Sequence, residues 1–149
     1  MSVLEACQSA QGVGIDASQA GLEVSEKNAR LLGDELRTRF AHRDWTKPGW
    51  ADGLGTFDLI LCNPPYVEDG AQLDRDVRDF EPASALFAGE EGLDDYRLLI
   101  PQLRKLLHPG GVAIFEIGAT QAGVDSGLAE KAGFAVALRR GLAKRPRAQ

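Results

Sequence analysis

An apolar run, Phe57-Asp58-Leu59-Ile60-Leu61-Cys62, ends against Asn63-Pro64-Pro65-Tyr66, and this junction constrains the fold more than any other stretch of the chain. Proline has no backbone N–H, and its ring holds φ at roughly −65°. It also drives the residue before it out of the helical region. Asn63 and Pro64 are therefore held extended, and a strand beginning at Phe57 must stop without turning into a helix. The strand end is left as a stiff set of acceptors, made of backbone carbonyls and the Asn63 side-chain oxygen, with the ring of Tyr66 beside them. Two such acceptors can grip both hydrogens of an –NH2 group while the ring packs against it.

Strands and helices alternate around this junction. Residues 1–10 carry apolar side chains at helical spacing and read as the end of a helix. Gly12–Asp16 is a short strand ending in a carboxylate. Ser18 caps a helix over Gln19–Leu32 that carries Leu22, Ala29 and Leu32 and stops at Gly33. Arg37–Arg43 is a weak strand leading to Asp44-Trp45. A long polar loop follows Tyr66, roughly to Phe87, longer than an ordinary connection. Leu93, Tyr96, Ile100, Leu103 and Leu107 form one amphipathic helical stripe. His108-Pro109-Gly110-Gly111 breaks it, Val112–Ile117 is a buried strand, Gln121–Ala132 a helix closed by Gly133, and Phe134–Leu138 a last strand. This order predicts an α/β fold with a parallel sheet covered on both faces. Such sheets bind ligands beyond the carboxyl ends of their strands, where Asp16, Asp44 and Asn63 all fall.

Composition excludes some alternatives. At 149 residues, 44% apolar and 26% charged, the chain has the make-up of one globular domain, residues 1–149. No apolar run approaches the roughly 20 residues of a membrane span. The N-terminus lacks the pattern of a secretory signal. Two isolated cysteines, Cys7 and Cys62, fit a reducing cytoplasm. A net charge of −5 weighs against nucleic acid. Ten acidic residues between Glu68 and Asp95 stand against Arg75 and Arg78, a solvated loop or an acidic rim for a basic protein. His42 and His108 have no partner at ligand spacing, so no metal site is expected. Cys62 faces the core as an inert small hydrophobe.

With these residues in place, the chain resembles class I methyltransferases that use S-adenosylmethionine, and more narrowly the release-factor glutamine N5-methyltransferases. The resemblance rests on Gly14-Ile15-Asp16, Asp44-Trp45, Asp58 through Val67, Phe80-Glu81-Pro82, Gly92-Leu93, Tyr96-Arg97, Pro109-Gly110-Gly111 and Glu116-Ile117-Gly118 with Gln121. It implies a Rossmann-like three-layer α/β sandwich. It implies that Asp16 accepts from the cofactor's ribose hydroxyls, and that Asp44 accepts from its adenine with Trp45 beside the base. Asn63 and the Pro64 carbonyl would hold a glutamine amide at the cofactor's edge, Pro65 would stiffen the clamp, and Tyr66 would pack on the amide. Glu81 joins the substrate side.

The family's first strand, its glycine-rich loop and its N-terminal helical domain have no counterpart in these residues. The resemblance therefore implies an incomplete, N-terminally truncated fold that binds the cofactor weakly or not at all by itself. Two other readings remain. One is an adenine or guanine N-methyltransferase acting on DNA or RNA, and the other a non-catalytic fragment or interaction module.

Overall fold

Ser18 starts the first long helix as its side chain predicts. Its Oγ accepts from the Gly21 N–H at 3.1 Å, and the helix α2, Gln19–Leu32, follows. Gly33 ends it in the left-handed conformation at φ 72°, which a side chain would resist. The Gly33 N–H donates to the Arg30 carbonyl at 3.2 Å and the Asp34 N–H to the Ala29 carbonyl at 2.8 Å, satisfying the last turn. Leu22 and Ala29 are buried, whereas Leu32 is exposed.

The computed structural model describes residues 2–71, 85–118, 121–140 and 146–148. The chain divides into two compact units, Met1–Gly55 and Thr56–Gln149. In the first, helix α1 (Ser2–Ala6) precedes strand β1 (Gly12–Asp16), then α2 and strand β2 (Thr38–His42). β1 and β2 are parallel, with Gly12 opposite Thr38 and Asp16 opposite His42.

Arg37 ties this unit together. Its Nη1 faces the carbonyls of Leu4 at 3.1 Å, Cys7 at 3.2 Å, Gln8 at 3.2 Å and Ala10 at 3.4 Å. Its Nη2 pairs with the buried carboxylate of Asp34. Removing this side chain deprives four carbonyls of a charged donor and strands a buried carboxylate. Arg37→Ala is therefore expected to cost about 3 kcal/mol in denaturant unfolding. It should also speed amide exchange over residues 3–10.

In the second unit, strand β3 (Phe57–Cys62) pairs in parallel with β4 (Leu107–Phe115). Between them in sequence lie α3 (Asp94–Leu99), a 3-10 turn (Ile100–Gln102) and α4 (Leu103–Leu106). The predicted single helix is thus broken at Pro101, whose ring cannot sit in the interior of an α-helix. Its apolar stripe survives: Leu93, Tyr96, Leu99, Ile100, Leu103 and Leu106 are buried. Leu107 leaves the helix and opens β4 opposite Phe57, while Leu59 pairs with Val112. Residues 108–111 bulge out between those two pairings, and Gly110 turns the bulge at φ 84°. The predicted stop is real, but it lies inside the strand rather than before it.

Among the described residues, only one face of this sheet is covered. Ile60 and Cys62 lie with Ala113 and Phe115 on the side where Phe115 packs against Tyr96, ring centroids 5.9 Å apart. Leu59, Leu61, Val112 and Ile114 form the opposite face and are exposed, which corrects the expectation of a sheet covered on both sides. Among the described residues, β1–β2 and β3–β4 are separate two-stranded sheets.

Helix α5 (Ala122–Lys131) ends where predicted. Arg104 donates to the carbonyls of Ala132 at 2.7 Å and Gly133 at 2.6 Å, with its guanidinium 5.2 Å from the Phe134 ring centre. The predicted strand Phe134–Leu138 is not one: among the described residues no ladder pairs it. An apolar cavity of about 360 Å³ is lined both by this segment and by residues 111–115 of β4. The pairing that does form is antiparallel, between β5 (Arg139–Arg140) and β6 (Pro146–Ala148). No helix among the described residues is long and apolar enough to cross a membrane.

Candidate active site

The acceptor-side candidates lie in the second unit and form one anchored loop. The Glu116 N–H donates to the Cys62 carbonyl at 3.0 Å, where the strand pairing ends. Asn63 then leaves the sheet and is exposed, while Pro64 is fully buried and Pro65 and Tyr66 are half-buried. The chain is caught again at once. The Val67 N–H donates to the Leu86 carbonyl at 2.8 Å, and the Ala88 N–H to the Val67 carbonyl at 3.0 Å. Asn63 to Tyr66 is therefore a short span fixed at both ends, with a buried proline as its plug and an exposed amide at its tip.

Gln121 supports this span from below. It is only 6% exposed, and its amide is fully used. Oε1 accepts from the Gly118 N–H at 3.0 Å. Nε2 donates toward the carbonyls of Tyr66 at 3.0 Å, Glu91 at 3.0 Å and Gly92 at 3.3 Å. Nothing in the sequence pattern marks this role. Gln121 merely follows Glu116-Ile117-Gly118, and the carbonyls it reaches belong to segments far away in the chain.

Cys62 sits beneath the loop. Burial, with the negative charge of Asp95 adding to it, pushes its thiol up to about 12. It is not a nucleophile at neutral pH, as the sequence suggested. The exposed Cys7 is the opposite case, lowered chiefly by a hydrogen bond from Ser9. A thiol reagent near pH 8 should therefore modify one cysteine, Cys7, and reach Cys62 only on unfolding. The raised thiol also has a stability consequence. The unfolded chain loses the Cys62 proton above roughly pH 8.5 while the folded chain keeps it, so stability should fall as pH rises from there toward about 12.

The cofactor-side candidates lie in the first unit. Asp16 ends β1, and its Oδ1 accepts from the Ser18 N–H at 2.7 Å, which bends the chain toward α2. Its Oδ2 lies over Gly21, where a Cβ would come within 2.8 Å of it. His42 donates from Nε2 to the Ala17 carbonyl at 2.8 Å and so braces the same turn, a structural duty the sequence left unspecified. Asp44 follows β2. Its Oδ1 accepts from the Thr46 N–H at 2.9 Å and the Thr46 hydroxyl at 2.6 Å. That hydroxyl, with the Thr46 N–H and then Lys47 assisting, holds the carboxyl below its ordinary range. Trp45 is half-buried beside it. Glu81 lies outside the described residues.

Two parallel strand pairs with connecting helices, and an Asn-Pro-Pro-Tyr span at a strand's carboxyl end, fit the fold of the class I methyltransferases. Solved structures agree with that class. A ribosomal protein L11 methylase from Lactobacillus delbrueckii superposes over 93% of this chain and 55% of its own, with TM-score 0.60 at 22% identity. An O-methyltransferase family protein from Burkholderia thailandensis superposes over 98% of this chain and 45% of its own, with TM-score 0.67 at 14% identity.

Sequence narrows the class. The release factor glutamine methyltransferase of Rhodospirillum rubrum is 44% identical over 125 residues, 83% of this chain and 37% of that protein. Those of Caulobacter vibrioides and Cereibacter sphaeroides are 39% and 41% identical, over 89% and 85% of this chain. Over most of its length the chain is similar in sequence to one part of the release factor glutamine methyltransferases. It spans less than half the length of these relatives, 37%, 46% and 45% respectively. No protein-family model matches it.

Proposed function

We propose that the chain carries the acceptor half of an S-adenosylmethionine-dependent methyl transfer to the side-chain nitrogen of a glutamine, in the Gly-Gly-Gln segment of a peptide-chain release factor. The observation that carries this reading is the anchored Asn63–Tyr66 span. An amide nitrogen is a poor nucleophile, because its lone pair is shared with the adjacent carbonyl. The Asn63 side-chain oxygen and the Pro64 carbonyl would accept its two hydrogens. That aims the nitrogen and stabilises the positive charge that grows on it during transfer. The half-buried ring of Tyr66 would pack on the amide, where an aromatic face favours a neighbouring cation. The proton released on transfer can leave through water, and the inert thiol of Cys62 takes no part.

The residues that would hold the cofactor suit it chemically. Asp16 keeps an acceptor oxygen beyond the one that bends the chain, as ribose hydroxyls require. Asp44, held anionic by Thr46, is an acceptor for an exocyclic amino group. S-adenosylmethionine, when bound, supplies an electrophilic methyl group. The acidic stretch around Glu68–Asp95, with Glu81 in it, suits a basic protein partner better than nucleic acid.

The test offers the purified chain labelled cofactor with a release factor or with total RNA. Label on the glutamine of the Gly-Gly-Gln segment supports the proposal. Label on RNA alone replaces it with nucleobase methylation, and label on neither once cofactor binding has been measured and saturated favours the interaction module.

A further inference from the structure

We infer that Gln121 is a positioning residue for the acceptor span: its side-chain amide fixes the Tyr66 carbonyl and thereby the direction in which Asn63, Pro64 and Tyr66 face their substrate. The inference rests on the proposed reading of Asn63–Tyr66 as the clamp. The geometry is over-determined for a packing role. Because Oε1 accepts from the Gly118 N–H, the amide cannot be turned around, and Nε2 must be the atom facing the three carbonyls. Two hydrogens serve three acceptors. The oxygens of Tyr66 and Glu91, both at 3.0 Å, take one each, and Gly92 at 3.3 Å shares.

These carbonyls come from positions 55, 30 and 29 residues away, so a single side chain joins the clamp, the turn before α3 and the start of α5. The approach is close. At Gly92, which has φ 67°, a Cβ would stand 2.4 Å from the Tyr66 oxygen and 2.5 Å from Gln121 Nε2. Burying a side-chain amide is unfavourable unless its hydrogen bonds are made, and here all are. Leucine would fill the space and hold nothing. Glutamate would present a carboxylate to three carbonyl oxygens.

Tyr66 and Tyr96 are the only tyrosines, 2 in the chain, so 3-fluorotyrosine labelling gives one fluorine resonance from each. Tyr96→Phe assigns them. In folded Gln121→Leu, the Tyr66 resonance should shift and broaden while that of Tyr96 stays in place. An unchanged Tyr66 resonance overturns the inference.

Gln121→Glu supplies a second reading that simple packing would not produce. The protonated acid can accept from Gly118 and donate to one carbonyl, whereas the carboxylate can only repel them. The Tyr66 resonance of this variant should therefore return toward the wild-type position on acidification, with a midpoint above the roughly 4.3 of an ordinary glutamate. The wild-type resonance should stay flat over the same range. A pH-independent Gln121→Glu signal overturns the inference, including where Gln121→Leu fails to fold. Methyl transfer reports separately. An intact Tyr66 response with no transfer by the wild type defeats the proposed function and leaves the positioning standing.

Discussion

On the proposed reading of Asn63–Tyr66 as an amide clamp, Asn63→Ala is expected to lower methyl transfer to a Gly-Gly-Gln peptide by about 10²–10³-fold, the loss typical of removing one fixed hydrogen-bonding group from a site where charge develops. The melting curve should hardly move. Asn63 is exposed and lies beyond the last β3–β4 pairing, so its side chain supports no packing. The loss should appear in kcat more than in KM. In the proposed clamp one remaining acceptor, the Pro64 carbonyl, would still hold the amide, but the second N–H would be left free to point the nitrogen elsewhere. Asn63→Asp separates two contributions, because it keeps an acceptor and adds a charge. Single-turnover measurements at cofactor concentrations that saturate the wild type would read the chemical step directly. A fall of less than tenfold in Asn63→Ala would remove Asn63 from the clamp.

Much of this architecture was legible because local chemistry and tertiary structure agree. Ser18 and Gly33 bracket α2 at the predicted residues, and β3 runs from Phe57 to Cys62 as the prolines dictate. The misreadings share a physical origin: each concerns an element whose limits are set by a partner. Leu107 continues a helical stripe by spacing, yet Phe57 recruits it into β4. Phe134–Leu138 has a strand's composition, but composition supplies no neighbour to pair with. Leu59 and Leu61 look like core residues on an apolar strand and are exposed, since nothing along the strand says whether its second face is covered. The site divides the same way. Asn63, Pro64 and Tyr66 are candidates by type and order alone. Gln121 is visible only once the fold has brought three distant carbonyls to it.

Tyr96 tests how firmly the core holds the site. It is fully buried, packs on Phe115, and its hydroxyl donates to the Glu116 carbonyl at 2.5 Å. The Glu116 N–H in turn donates to the carbonyl of Cys62, the last residue before the acceptor span. Tyr96→Ala empties a volume that neighbouring Ile100, Leu103 and Phe115 cannot fill without moving, and should cost about 3–5 kcal/mol. Against the 5–15 kcal/mol that typical domains possess, that is enough to unfold much of the population at modest denaturant. Tyr96→Phe keeps the ring and removes only the donor, so about 1 kcal/mol is expected. The difference between the two variants separates packing from hydrogen bonding. Tyr96→Phe should also slow methyl transfer less than Asn63→Ala, because the Glu116 N–H still holds the Cys62 carbonyl. Denaturant midpoints of the three proteins decide it. A Tyr96→Ala midpoint matching that of Tyr96→Phe would mean that the ring contributes little, and that the covered face of β3–β4 is held by other contacts.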